Sequence, residues 1–200
     1  MSVESRLQKL LTLRLEPGAD KAAVDRRIWD LFGEDWCVMV TDLSGFSRGV
    51  AKFGVIHFLQ TIYESERLFT PILERCDGIK LKTEGDSFLI IFRSAQKALD
   101  AAISMQRAAR EYNQTKSAEE QLLFGAGIAF GRVLRIGDAD VFGAQVNAAY
   151  LLGEDTACAY EILMTKAARD AAGDSDGVRF EEIADVPPGA EKAFRVICDA

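Results

Sequence analysis

The chain has 200 residues, with 24 Lys and Arg against 31 Asp and Glu, for a formal net charge of −7. This length suits one domain with a full core, and the absence of a basic excess or basic stripe argues against nucleic acid as a partner. Hydrophobic residues make up 48% and are mixed with polar ones, which excludes disorder, while no apolar run approaches the ~18 residues that a membrane span needs.

Residues 1–33 read as a helical N-terminal extension to a domain over 34–200. A helix is expected over 4–14, broken by Glu16-Pro-Gly-Ala-Asp20. Asp20 is placed to cap a second helix over 21–32, with Gly33 as its stop. Met1 to Leu11 lacks the apolar stretch and small-residue cleavage site of a secretory leader. Residues 36–41, a nearly continuous apolar run, predict a buried strand that ends in Asp42-Leu-Ser-Gly-Phe46. A long helical pattern over 49–75 follows and carries the single histidine, His57, among apolar neighbours. His57 reads as a satisfied helix residue. Strands over 79–83 and 87–92 flank the turn Glu84-Gly85-Asp86, and Ser94 caps a helix to about residue 112. A strand is expected over 122–130 and a turn-rich hairpin over 131–140. A helix over 146–152, a strand over 161–164, a helix over 166–172 and a strand pair over 179–183 and 193–197 complete the chain. Hairpins mixed with helical crossovers make the class α+β, with one sheet covered by helices. The four cysteines, Cys37, Cys76, Cys158 and Cys198, form no CxxC pair. They read as reduced, mostly buried thiols of a cytoplasmic protein, not as zinc ligands.

Two aspartates stand out by position. Asp42 follows a buried strand and Asp86 lies in a tight turn, and strand ends and turns are where functional residues gather. Two carboxylates brought together there repel unless a cation lies between them, and Mg²⁺ takes such ligands together with substrate phosphates. Each is equally an ordinary turn residue when taken alone. Ser44-Gly45-Phe46-Ser47 offers main-chain N–H groups at a helix start, where phosphate oxygens bind. Lys82 lies in the Asp86 hairpin, and Asp140 precedes the helix carrying Asn147. Lys82 is able to donate to a ring nitrogen or phosphate and Asp140 to accept from an exocyclic amino group, or the two form a solvated salt bridge.

Taken in order, these segments resemble the catalytic domain of the class III nucleotidyl (adenylate/guanylate) cyclases, as found in bacteria. Thr41-Asp-Leu-Ser-Gly-Phe-Ser47 resembles the D-x-x-G-F-[ST] start, and Leu81-Lys-Thr-Glu-Gly-Asp86 the K-T-x-G-D hairpin. Asp140-Val-Phe-Gly-Ala-Gln-Val-Asn147 is similar to the D-x-[WFY]-G-x-x-V-N segment. The separation of Asp42 and Asp86 is the usual one, and the likeness covers about residues 34–198. The resemblance implies a ferredoxin-like mixed or antiparallel sheet flanked by helices. It implies that Asp42, Asp86 and the Leu43 carbonyl hold two Mg²⁺ or Mn²⁺ ions per site. Gly45, Phe46 and Ser47 would bind phosphates, Lys82 and Asp140 would read adenine, and Asn147 would orient the ribose. It also implies a head-to-tail homodimer with metal ligands from one subunit and base readers from the other. The activity implied is conversion of ATP to cyclic AMP and pyrophosphate.

The sequence departs from the pattern in three places. Four residues after Asn147 the family has an Arg that stabilises charge on the α-phosphate, and here Leu151 stands instead. Arg132, Arg135 and Lys166 are the candidate substitutes. Val186-Pro-Pro-Gly189 lacks the triphosphate-binding Lys expected before its Gly, with Lys192 nearby. Glu84 adds a negative charge within the hairpin motif, close to the metal-site aspartate. Tyr150 and Leu151 support one alternative, a degenerate domain that binds nucleotide or dimerises without turnover, and the resemblance leaves a second, a cyclase that takes a pyrimidine nucleoside triphosphate or GTP.

Overall fold

The computed structural model describes residues 3–44 and 53–198. Helices α1 (Val3–Leu15) and α2 (Lys21–Phe32) lead into β1 (Gly33–Leu43), followed by α3 (Val55–Arg75), β2 (Ile79–Glu84), β3 (Ser87–Phe92) and α4 (Ala95–Asn113). The chain continues through β4 (Phe124–Ile136), β5 (Asp140–Phe142), α5 (Ala144–Tyr150) and a π-helical turn (Leu151–Thr156). It closes with β6 (Ile162–Thr165), α6 (Lys166–Ala172), β7 (Val178–Ile183) and β8 (Ala193–Cys198). The expected caps form: Asp20 accepts from the Ala23 N–H, and Ser94 from that of Lys97.

The sheet order is β2-β3-β1-β4-β6-β8-β7, with β5 paired to β4. The first four of these strands are mutually antiparallel, with helical crossovers α3 and α4, which is the ferredoxin-like arrangement. The parallel pairing of β6 on β4 makes the sheet mixed. Alternation along β1 sorts its side chains by face. Cys37, Met39 and Leu43 join the larger core, with Phe69 and Leu73 of α3, Leu99 and Met105 of α4, and Ala168 of α6. Trp36, Val38 and Val40 face the other way, toward Val146 and Ala149 of α5. Helices α1 and α2 pack Leu10, Val24, Ile28 and Phe32 against Ile136 of β4.

Several boundaries move from their sequence-based positions. Pairing with β4 as far as Leu43–Phe124 carries β1 past Thr41, so Asp42 lies within the strand and not after it. The same ladder reaches Gly33–Leu134, so β4 continues through Gly131, where a hairpin was expected, and turns only at residues 137–139. The long helix begins at Val55 among the described residues. The cysteines are all free, but only Cys37 is buried; Cys158 is exposed and Cys76 and Cys198 are intermediate. The expectation of mostly buried thiols therefore holds fully only for Cys37: Cys76 and Cys198, at element ends, pack partly buried against the core, and Cys158 lies exposed in a loop. His57 sits on α3 with Nε2 2.9 Å from the Glu119 carbonyl oxygen.

The π-helical turn lies directly on the strand backbones. A Cβ at Gly127 of β4 would come within 2.3 Å of both the Ala149 carbonyl oxygen and the Gly153 nitrogen, and a Cβ at Gly153 within 2.5 Å of the Val40 carbonyl oxygen. Backbone, unlike a long side chain, has little freedom to give way. Gly127→Ala is therefore expected to destabilise the fold by about 1–3 kcal/mol, read as a lower melting temperature in thermal unfolding.

Candidate active site

The β1 face that carries Val38 and Val40 also presents Asp42, near the strand's end. Gly85, with φ +62°, occupies the first central position of the β2–β3 turn, a left-handed conformation that glycine adopts without strain. That turn sets Asp86 beside Asp42, and Ser87 Oγ donates to Asp42 Oδ1 over 3.3 Å. The two carboxyls act on each other electrostatically. Burial pushes Asp86 up to about 7, with the Asp42 charge as the second cause. Burial likewise raises Asp42, and Glu154 on the π-helical turn adds to the effect. Asp86 Oδ2 is buried without a hydrogen-bond partner.

This arrangement fits a divalent cation. An unpartnered buried carboxylate oxygen beside a second carboxylate is costly without one. Hard oxygen donors suit Mg²⁺ or Mn²⁺, which take one or two carboxylates and complete their coordination with substrate phosphates and water. Among the described residues no group of three or more His, Cys, Asp or Glu side chains is arranged to hold a metal. Leu43 has its side chain in the core, which leaves its main-chain carbonyl as its only means of contributing. Gly45, Phe46 and Ser47 lie outside the described residues.

The stability consequence of the raised Asp86 can be worked out by sign. Its ordinary value is 3.8 and its folded value about 7, so the fold favours the neutral acid. That contribution to stability is fully present below about 3.8 and is lost as pH rises through about 7. Metal-free protein is therefore expected to melt several degrees higher as Asp86→Asn than as wild type at pH 8. The gain should shrink steadily as pH falls from 8 to 5 and vanish only below about 3.8, and thermal melts in chelator across pH 3–8 would show it.

A second polar group forms on the same face of the sheet. Lys82 of β2 donates to Asp140 Oδ2 over 3.1 Å and approaches Glu84 Oε1 at 2.9 Å. Asp140 Oδ1 accepts from the Val141 N–H, and the Tyr150 hydroxyl donates to Glu84 Oε2 over 2.5 Å. The structure thus brings Asp42 to Asp86 and Lys82 to Asp140 as two separate pairs. Asn147 is exposed on α5 and joins neither. Glu84, expected to burden the metal-site aspartate, turns instead to Lys82 and Tyr150.

Leu151 lies one helical turn beyond Asn147, with its N–H on the Asn147 carbonyl. None of the cations considered as substitutes for an Arg here is available. Arg132 donates to the Trp29 carbonyl, Arg135 to Asp138, and Lys166 to Asp170. Lys192 is held by Glu182. Sequence reasoning also missed Glu154 and Asp155, which reach Asp42 electrostatically because the glycine contact seats their turn against β1. The small residues Gly127 and Gly153 were the available signal.

The fold and the sequence point to the same family. The sequence fits the adenylate and guanylate cyclase catalytic domain over residues 33–188, and the chain belongs to that family. It is 26% identical over 130 residues to serine/threonine-protein kinase pkn2 of Myxococcus xanthus, covering 65% of this chain and 15% of that protein. It is 24% identical over 112 residues to putative adenylate cyclase 3 of Rhizobium meliloti (strain 1021), covering 56% of this chain and 19% of that protein. The chain therefore spans less than a fifth of either relative. Among solved structures, an adenylate/guanylate cyclase/hydrolase from Silicibacter pomeroyi superposes with a TM-score of 0.69 at 26% identity, covering 84% of this chain and 99% of that one. No helix among the described residues is long and apolar enough to cross a membrane.

Proposed function

We propose that this cyclase domain, residues 34–200 with a helical extension over 1–33, converts ATP to 3′,5′-cyclic AMP and pyrophosphate at sites shared between two copies of the chain. The carrying observation is the Asp42–Asp86 pair with its unpartnered buried oxygen. These residues, with the Leu43 carbonyl, would hold two Mg²⁺ or Mn²⁺ ions. Bound there, such ions supply Lewis acidity, making the ribose 3′-hydroxyl acidic and neutralising the leaving pyrophosphate.

The chain's own residues bind and orient. Lys82 donates to the adenine ring nitrogen and Asp140 accepts from the exocyclic amino group. Asn147, exposed on α5, orients the ribose from the base-reading side. Gly45, Phe46 and Ser47 bind the phosphates. The 3′-oxygen attacks the α-phosphorus, a new P–O bond forms, and the bond to the β-phosphate oxygen breaks. Membership of the cyclase family supports a head-to-tail dimer in which each site draws the metal pair from one subunit and the base pair from the other. Four free cysteines support a reducing, cytoplasmic setting.

A second reading, nucleotide binding without turnover, is favoured by Leu151 and by the engagement of Arg132, Arg135 and Lys166 elsewhere. Incubation of the purified chain with each nucleoside triphosphate and Mn²⁺, followed by mass spectrometry, separates the readings. Cyclic AMP with pyrophosphate is the expected result. Binding without any cyclic product would establish the second reading, and a cyclic product from another base alone would overturn the choice of ATP.

A further inference from the structure

We infer that Glu84, anchored by Tyr150, is a positioning residue that fixes Lys82 in the place that favours adenine over guanine. The inference rests on the reading of Lys82 and Asp140 as base-contacting residues. Reading a base edge takes more than one donor and one acceptor. Adenine presents its ring acceptor N1 beside an amino group, and guanine presents its carbonyl O6 beside the N1–H. Both edges offer one acceptor and one donor, in opposite order. A lysine free to swing to either side of Asp140 would satisfy both, so discrimination requires a fixed ammonium.

The network supplies that constraint. Lys82 carries three N–H donors. One goes to Asp140 at 3.1 Å, and the ammonium is also ion-paired with Glu84 at 2.9 Å, which leaves an N–H for a base. Glu84 is itself more than half exposed and would move freely, but its second oxygen accepts the 2.5 Å bond from the Tyr150 hydroxyl. Tyr150 is rigid: it is partly buried, packs on the Trp36–Val40 cluster, and belongs to α5, which is seated on the sheet. Burial holds its hydroxyl well above the ordinary range, so it remains the donor at neutral pH. A chain of contacts from the α5 backbone to the Lys82 ammonium is therefore complete before any nucleotide arrives. The same residues explain why an acid is tolerated within the hairpin motif.

Tyr150→Phe keeps the ring and removes only the anchor, and Glu84→Gln removes the charge. The test measures equilibrium binding of ATP and of GTP in Mn²⁺, with steady-state rates for both, on full-length wild type, each variant and the double variant. Each variant is expected to lower the preference for ATP over GTP by about tenfold. The change should lie in KM and binding, with kcat for ATP moving by less than about twofold. The double variant should be no worse than the worse single one, as befits one connected contact. An unchanged ATP-to-GTP ratio in variants that melt like wild type would overturn the role of Glu84 while leaving the cyclase reading in place. Failure of wild type to bind either nucleotide would overturn the cyclase reading and this inference with it.

Discussion

Asp42→Ala is expected to reduce cyclic product by at least about 10³-fold while leaving the fold intact. Loss of a partner that merely supports a metal ligand typically costs about 10–100-fold, and removal of a ligand itself should cost more. Stability should not fall in parallel. Burial and Glu154 both raise Asp42, so its charge is a burden on the metal-free protein, and removing it relieves Asp86 as well. The informative pattern is lost pyrophosphate release and lost metal-dependent nucleotide binding at an unchanged or higher melting temperature. A variant that keeps its turnover would remove Asp42 from the site.

Leu151→Arg is expected to raise kcat by about 10²–10³, the usual worth of one well-placed donor to charge that develops during reaction. The geometry favours this. Leu151 is partly exposed and its N–H bonds the Asn147 carbonyl, so both side chains leave the same face of one helix one turn apart. Arg132, Arg135 and Lys166 are engaged by Trp29, Asp138 and Asp170. An introduced guanidinium would share its turn with Glu154 and Asp155, both of which act on Asp42. Initial rates at saturating ATP and Mn²⁺ would measure the gain. A rate unchanged with intact nucleotide binding would show that some other feature limits turnover.

The sheet was legible from sequence because its strands are apolar runs bounded by turn residues, and the motifs fixed their order. What local pattern missed was set by pairing between distant segments. β1 and β4 run longer than their apolar centres because each extends the other's ladder, to Gly33–Leu134 at one end and Leu43–Phe124 at the other. The π-helical turn was read as the end of a plain helix, since its position depends on Gly127 and Gly153 meeting across the sheet. In the site, the aspartates and the Lys82–Asp140 pair were placed from motif spacing. Glu84 was misjudged because its partner, Tyr150, lies 66 residues away. Arg132 and Arg135 were considered for a catalytic role on charge alone, and the structure engages them with Trp29 and Trp36 through rings that sequence spacing does not bring together.

The negative charge that excluded nucleic acid takes on a different meaning at this site. The proposed triphosphate would meet Asp42 and Asp86 with Glu154 and Asp155 acting on Asp42, so its binding is expected to depend steeply on divalent metal.

The proposed sharing of sites makes a direct demand. Asp42→Ala lacks metal ligands but keeps base readers, and Asp140→Ala lacks a base reader but keeps metal ligands. Each alone should be nearly inactive. Mixed in equal amounts, half the dimers are heterodimers, and each of these holds one intact site of two, so about a quarter of wild-type activity should return. Recovery to that level is the predicted result. No recovery from a mixture shown to exchange subunits would contradict the composite cyclase site.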